Sequence, residues 1–317
     1  MEEYKRYSIE KDSLRLDISL ASYDLSIKGR EGNELVIETD DTKKADKRLN
    51  IEFGEEEIEI REERDWKKTK GGKLALKLPK DKKYSGKCNS ASGDIEIGDI
   101  FYKGKVSSAS GNIALHSLKD KTEIEVKTAS GDIETKHIEG KIETKSASGN
   151  IVLKDVILSE LHAKTVSGDF EFSGRLFLEK NGSVKTVSGD IRLDIESGDN
   201  LCIYLKTMGD TNIKEQHQEW KDEMKDWRRL VLKSLSGNID VKSKEDLKNI
   251  YVESTKVMKS IKMKVLSRGL EEFLSRIPRG VKVKEDSSKE EHVSRILNML
   301  ESGKINAKEA KELIDSL

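Results

Sequence analysis

The sequence predicts an all-β solenoid, a β-helix of coils about 20 residues long, with a helical insertion, an amphipathic helix and a C-terminal α-hairpin. Three observations predict this class. A Ser/Thr-x-Ser-Gly-Asp/Asn motif recurs along the chain, apolar and polar residues alternate after each copy, and charged residues (38%) outnumber hydrophobic ones (34%). Such a composition suits a narrow core, in which each strand buries one side and exposes the other.

The first 80 residues have the periodicity of strands without the motif. Apolar residues alternate with polar ones around residues 25–27, 58–60 and 74–78, and residues 35–37 form a short apolar run. Terminal repeats of a solenoid are usually atypical. We therefore interpret this region as an N-terminal cap followed by the first coils.

The motif predicts one turn per coil. The intervals between successive motif glycines are 18, 20, 18, 19, 21 and 48 residues, and a degraded copy around Gly209 divides the last into 20 and 28. Glycine is expected to supply a positive φ, and the following Asp or Asn to bond its own backbone. The apolar residue two positions before each glycine, from Ala91 to Leu235, is expected to face inward. The predicted turn residues are Gly93, Asp94, Gly111, Asn112, Gly131, Asp132, Gly149, Asn150, Gly168, Asp169, Gly189, Asp190, Gly237 and Asn238.

The solenoid is predicted to span residues 1–243 and to contain a helical insertion at 214–230. Trp220, Met224 and Trp227 share one helical stripe in this insertion, and its charges cancel. The stripe either lies across the side of the solenoid or forms an aromatic surface for a partner.

Residues 244–286 are predicted to form a basic amphipathic helix and a linker. Residues 256–284 contain nine basic residues against two acidic ones, with Lys259, Lys262, Lys264 and Arg268 among the basic ones. The helix either packs its apolar face on the solenoid or lies on an anionic membrane surface. Nucleic acid is disfavoured as a partner, because no aromatic residues are interleaved and no nucleic-acid motif is present.

The C-terminal residues 288–317 are predicted to form a helical hairpin. Ser288 with Glu291, and Asn306 with Glu309, have the spacing of capping boxes, and Gly303 separates the two helices. A hairpin of this size buries too little surface to fold well alone. It is expected to dock onto itself, a second chain or the solenoid.

Two resemblances to known families follow from these blocks. The order of LRLDISLASYDLSIKG, KLALKLPKDKKYSGK and the serial SGDI and SGNI copies over residues 10–243 resembles a bacterial and archaeal family of candidate adhesins built from β-strand repeats, a domain of unknown function. That resemblance implies a β-helical solenoid. The block MLESGKI at 299–305, followed by Ala307, Glu309 and Ala310, resembles the SHOCT-like helical hairpins of bacterial proteins. This second resemblance implies oligomerisation or partner docking.

The function predicted from these features is a non-enzymatic scaffold or binding protein, which self-assembles or docks an envelope or membrane-associated partner. The pairing of solenoid and hairpin suggests a role in stress response. A polymer-forming rod is one alternative, because solenoid ends expose unpaired strands. A polysaccharide-acting enzyme is a weaker alternative, because Asp and Asn interchange at the turn where a general base would have to be Asp.

No cofactor, metal or catalytic residue is predicted. The five histidines lack ligand spacing, and Cys88 and Cys202 are expected to be ordinary thiols. The opening MEEYKRYSIEKD lacks the apolar stretch of a signal peptide, so we expect a cytoplasmic protein that can attach peripherally to a membrane.

Overall fold

The computed structural model describes residues 1–63, 71–198, 201–207, 209–213, 227–243 and 250–256. The chain divides into two compact units, Met1–Thr255 and Lys256–Leu317. In the described residues the first unit is a β-solenoid, which confirms the predicted fold class. Each coil contributes one strand before its turn, on face 1, and one strand after it, on face 2.

Face 1 is a ladder whose strands from β2 to β21 are parallel, with β23 paired to β19 at its end. Its members are β2 (Ser13–Leu20), β6 (Glu57–Glu62), β8 (Lys83–Ser90), β10 (Phe101–Ser108), β12 (Thr122–Thr128), β14 (Glu139–Lys145), the second half of β15 (Ile151–Lys164), β17 (Gly182–Thr186), β19 (Leu201–Thr207), β21 (Arg228–Ser234) and β23 (Ile250–Lys256).

Face 2 is a second parallel ladder, which β15 joins to face 1 by running from one to the other. Its strands are β3 (Asp24–Arg30), β7 (Lys73–Pro79), β9 (Ile95–Gly98), β11 (Ile113–His116), β13 (Ile133–Lys136), the first half of β15, β16 (Phe170–Leu176), β18 (Ile191–Gly198), β20 (Thr211–Ile213) and β22 (Ile239–Ser243).

Inward-facing rows of apolar side chains form the core. On β13, Ile133 is fully buried whereas Glu134 is exposed, and Ile95 and Ile97 are buried on β9. The predicted alternation is therefore confirmed on these strands. One coil has only one apolar side, so the rows become a continuous core only when coils stack.

The spatial order of the coils differs from their order along the chain at both ends. The coil of β2 and β3 lies between the coil of β6 and β7 and that of β8 and β9. The coil of β21 and β22 likewise lies between the coil of β17 and β18 and that of β19 and β20. The turn at Gly209 is one residue shorter than a full motif, because Thr207 precedes it by two positions rather than three.

The N-terminal end is closed by antiparallel strands and a short helix. Strands β1 (Glu2–Ser8) and β4 (Glu34–Thr39) extend face 2, and β5 (Leu49–Phe53) extends face 1, all in antiparallel pairings. Helix α1 (Thr42–Arg48) begins at its N-cap Asp41, whose side chain accepts the Lys44 N–H. The rings of Tyr7 and Phe53 stack at 4.5 Å and join β1 to β5.

A buried carboxylate on β6 binds the backbone of the turn that follows β2. In the next coil the N–H groups of Ala91 and Ser92 donate to backbone carbonyls of the preceding turn. At the first turn, Glu62 instead accepts the N–H groups of Ala21 and Ser22, at 2.6 and 2.8 Å. Arg48 of α1 pairs with this carboxylate, which is fully buried. The Glu62 carboxylate thus satisfies backbone donors whose equivalents in the next coil are satisfied by backbone carbonyls.

Two predicted helical boundaries are wrong. Residues 228–230, assigned to the helical insertion, belong to β21, and residues 250–256, assigned to the amphipathic helix, form β23. Strand β21 pairs on both sides with parallel strands, and β23 pairs with β19. The hydrogen bonds to neighbouring strands therefore favour the strand conformation over the helix that the local apolar spacing predicts. Apart from Trp227, the rest of both segments and the hairpin at 288–317 lie outside the described residues.

Replacing Thr144 by valine should stabilise the solenoid by about 1 kcal/mol. The Thr144 hydroxyl is fully buried and has no hydrogen-bond partner in the described part of the chain, and its register neighbours are Val126 and Ala163. Valine keeps the shape and removes the unpaired polar group. Chemical denaturation measures the change.

The matched control is the same substitution at Thr128, whose hydroxyl accepts the Gly131 N–H at 3.0 Å and donates to the Gly111 carbonyl at 3.3 Å. Thr128→Val should destabilise by about 1–3 kcal/mol, because it leaves a buried donor unpaired. Equal effects at the two positions would contradict this account of the core.

Candidate functional site

The recurring turn is held by a ladder of buried hydroxyls. In each full motif the Ser or Thr three residues before the glycine accepts the glycine N–H, as Ser108 does from Gly111 at 2.9 Å. From Ser108 onward the same hydroxyl also donates to the motif-glycine carbonyl of the adjacent coil, at 3.4 Å from Ser108 to Gly93. These hydroxyls therefore connect each turn to its neighbour, which explains why the motif begins with Ser or Thr.

The motif glycines are required by close stacking, which corrects the expected positive φ. None of them lies in the left-handed region, whereas Gly86, Gly104, Gly140 and Gly174, which lie on strands, do. A Cβ added at Gly111 would lie 2.1 Å from the Gly93 carbonyl oxygen, and the other motif glycines meet their neighbours in the same way. Backbones of adjacent turns are too close for any side chain at this position.

The first turn shows that a side chain at the glycine position clashes only where another turn is stacked against that side. Its sequence is Ala21-Ser22-Tyr23-Asp24, so Tyr23 occupies the glycine position. Its side chain points away from the following coils, and the cations of Lys44 and Arg48 lie 5.7 and 5.6 Å from its ring centroid. The sequence ASYD marks this turn, but it lacks the Ser-Gly pair of the motif, so the repeat pattern did not predict it.

The Asp and Asn residues form a second ladder, which corrects the expected bond to their own backbone. Asp94 accepts the N–H of Asn112 in the next coil at 2.7 Å, and Asn112 accepts that of Asp132 at 2.9 Å. The same bond recurs for the remaining coils. The side chains therefore connect coils and are used as structural acceptors.

From Asp94 onward, charge in this second ladder is separated or paired, whereas Asp24 and Asp94 at its start are direct neighbours. Asp and Asn alternate from Asp94 to Asp169, which separates like charges. Asp169 and Asp190 are direct neighbours, and there Arg192 donates to both, at 3.3 and 2.8 Å. An arginine thus lies at the point where two carboxylates meet.

The turn edge also presents an outward apolar row, which corrects another expectation. Ala91, Ala109, Ala129 and Ala147 are exposed, Val166 is 38% exposed, and Val187 and Leu235 are half-buried. These side chains lie in the turn itself, after the last inward residue of each strand, so their direction does not continue the strand alternation. We call this set the turn row.

An open groove of about 500 Å³ crosses face 1. Gly86 and Gly104 form its floor, and Tyr102, buried beside them, donates to the Gly86 carbonyl at 3.2 Å. Opposite charges line the groove: Lys105 lies 2.7 Å from Glu125, and this pairing, together with Lys127, lowers the pKa of Glu125 to about 2. The groove is therefore a surface of paired charges, with Lys103, Glu123, Lys141, Glu143, Glu160 and His162 along its walls.

The remaining predicted residues are distributed as follows. Trp227 is half-buried directly before β21, while Trp220, Met224, Lys259, Lys262, Lys264 and Arg268 lie outside the described residues. Cys88 and Cys202 are free and buried, and burial raises the pKa of the Cys88 thiol to about 12. Within the described ranges, no group of His, Cys, Asp and Glu has the arrangement of a metal site. No helix in those ranges is long and apolar enough to cross a bilayer.

Sequence and structure comparisons find several similar proteins. The family model Toastrack DUF4097 matches residues 14–229, and a SHOCT-like domain model matches residues 291–317. No curated protein matches the chain significantly in sequence.

Three crystal structures resemble the chain. A candidate adhesin from Parabacteroides distasonis is 15% identical with a TM-score of 0.46, and the match covers 75% of this chain and 95% of that one. A candidate cell adhesion protein from Clostridium sporogenes is 12% identical, with coverages of 77% and 99% and a TM-score of 0.22. A candidate adhesin from Parabacteroides merdae is 12% identical, with coverages of 76% and 95% and a TM-score of 0.26.

Proposed function

Since the chain belongs to the Toastrack DUF4097 family, we propose that it is a non-enzymatic binding scaffold, whose solenoid presents rigid surfaces to a protein partner or a second copy. The observation that carries this proposal is the double ladder at the turn. The carboxylates that recur in the sequence, such as Asp94, Asp132 and Asp190, each accept a backbone N–H of the next coil. These hydrogen bonds stiffen a regular surface, as a scaffold requires. A catalytic base would instead need its carboxylate to be available to a substrate.

The N-terminal cap favours a discrete scaffold over a polymer-forming rod. Parallel coils can add only to an end that offers a parallel edge, and here antiparallel β1 and β5 occupy that position. Strand β1 is also mostly exposed and charged, with the sequence EEYKRYS. Charged edge strands disfavour the addition of a further chain.

The C-terminal segment supplies the docking function in this proposal. The SHOCT-like match at 291–317 covers nearly all of the predicted hairpin at 288–317. We propose that this segment joins a second copy or an envelope or membrane-associated partner. The scaffold is proposed to act in the cytoplasm, attached to a membrane only through that partner, in a stress response.

Deleting residues 288–317 should lower the mass of the assembled particle and leave the β-type circular dichroism spectrum unchanged. Light scattering of the full chain and the truncated chain measures the first quantity. Affinity capture of the full chain, followed by mass spectrometry, should recover a partner that the truncated chain loses. An identical particle mass together with identical captured proteins would refute the docking role.

A further inference from the structure

A row of lysines runs along the outer side of face 1, across the coils from β12 to β19. Register pairing places each lysine directly beside the next in the adjacent coil. At about 4.8 Å per coil the row spans roughly 24 Å. We call it the lysine ladder, and in spatial order it consists of Lys127, Lys145, Lys164, Lys185, Lys233 and Lys206.

The exchanged coil order sets the order of the lysines at one end of this ladder. Lys233 pairs in register with Lys185 on one side and with Lys206 on the other, although it follows Lys206 along the chain. Stacking like charges directly opposite one another is destabilising in a sheet.

Compensation of this charge differs along the ladder. Lys127 and Lys145 are paired with Glu125 and Glu143, each two residues earlier on the same strand. Lys164, Lys185 and Lys206 are exposed, and no ion pair of theirs is found in the described part of the chain. The residues in the position of the glutamates are there His162, Ser183 and Tyr204. Among the described residues, Lys164, Lys185 and Lys206 thus have no carboxylate paired with them, in contrast to Lys127 and Lys145.

The turn row borders the lysine ladder on one side. Val166, Val187 and Leu235 follow the ladder residues of their strands by two positions and are half-buried or exposed. Beyond the same turns lie the carboxylates of Asp169 and Asp190. A partner therefore meets cations and apolar groups on face 1, and anions as soon as it extends past the turn edge.

We propose that the lysine ladder binds an extended acidic segment of a partner protein, in which carboxylates alternate with apolar side chains. The ladder is one residue wide, which suits a linear polyanion. Single-stranded nucleic acid gains much of its affinity from aromatic stacking, and Tyr204 is the one aromatic residue in the row beside the ladder. An acidic peptide uses both the lysines and the turn row.

This inference rests on the proposed protein-binding function and identifies the kind of partner. The probe is a fluorescein-labelled peptide of about 12 residues in which Glu alternates with Val, long enough to exceed the ladder when extended. Fluorescence anisotropy with the full chain should show binding that weakens as salt is added. The same peptide with Gln in place of Glu should not bind.

The test variant carries Lys164→Glu, Lys185→Glu and Lys206→Glu, and should bind the peptide at least about tenfold more weakly. The matched control, with Lys103→Glu, Lys136→Glu and Lys154→Glu, changes three exposed lysines outside the ladder and should bind as the unmodified chain does. Thermal melting by circular dichroism establishes that both variants fold.

Equal binding by the two variants would overturn the inference, as would tighter binding to phosphatidylserine vesicles or to oligothymidine than to the acidic peptide. These outcomes are independent of the proposed function. If deletion of 288–317 abolishes assembly and partner capture while the two lysine variants bind the peptide equally, the inference about the lysine ladder is refuted and the proposed scaffold function stands. Loss of peptide binding in the ladder variant supports the inference even where the deletion has no effect.

Discussion

Gly131→Ala should destabilise the solenoid by about 3 kcal/mol or more, because it forces two backbones apart. A Cβ at this position would lie 2.1 Å from the Gly111 carbonyl oxygen. That oxygen belongs to backbone held by the Thr128 hydroxyl, so it cannot move without breaking the buried ladder bond. The strain would also pass to the next coil, where the Gly149 position is equally close to the Gly131 carbonyl. Urea denaturation of the full chain measures the loss.

The matched control for this prediction is Gly54→Ala. A Cβ there would meet its nearest atom, the Glu57 carbonyl oxygen, at 3.5 Å, which is ordinary contact, and Gly54 does not have a positive φ. This variant should be neutral or slightly stabilising, since alanine reduces the entropy of the unfolded chain. A loss at Gly131 no larger than that at Gly54 would show that the turns can move apart, and the stacking account of the motif would be wrong.

Ile133→Asp should cost about 4 kcal/mol or more and leave much of the chain unfolded, because it places an unpaired carboxylate in a narrow core. Ile133 is fully buried, and its register neighbours are Ile113 and Ile151. Inward rows of this kind offer a charge no partner and no route to water. The change should be visible as loss of the β-type circular dichroism signal and a lower melting temperature.

Glu134→Lys is the control, because the adjacent side chain points outward and is exposed. A surface substitution of this kind usually changes stability by no more than about 0.5 kcal/mol. If the two variants melted at the same temperature, the assignment of inward and outward rows on β13 would have to be reversed.

Local patterns were sufficient for the fold class and for the inward rows. The alternation after each Gly-Asp or Gly-Asn is a property of a single strand, so Ile95, Ile97 and Ile133 could be placed in the core without a structure. The recurrence of the motif at a nearly constant interval required stacked coils, because one coil cannot bury its apolar side alone.

The helical assignments failed where neighbouring strands decided the conformation. The apolar spacing around residues 250–256 agrees with a helix, but β23 extends face 1 beside β19. The short helix α1 was missed because its sequence, TKKADKR, has a single buried residue, Ala45, and no apolar stripe. In the sequence, Glu62 is one of many charged residues. Only the structure shows that it pairs with Arg48 and accepts backbone N–H groups of the first turn.

The sequence by itself thus determined that this chain is a β-solenoid, which residues after each motif face the core, and where the motif turns are, but not the outward direction of the turn row or the turn at Tyr23. Only the tertiary structure decided which coil lies beside which, and with it the purpose of the turn residues. The motif glycine is needed because of the next backbone, Asp and Asn bond the next coil, and Lys233 completes the ladder between Lys185 and Lys206. These are contacts between residues 18 to 48 positions apart, and no local pattern encodes which of several similar coils becomes the neighbour.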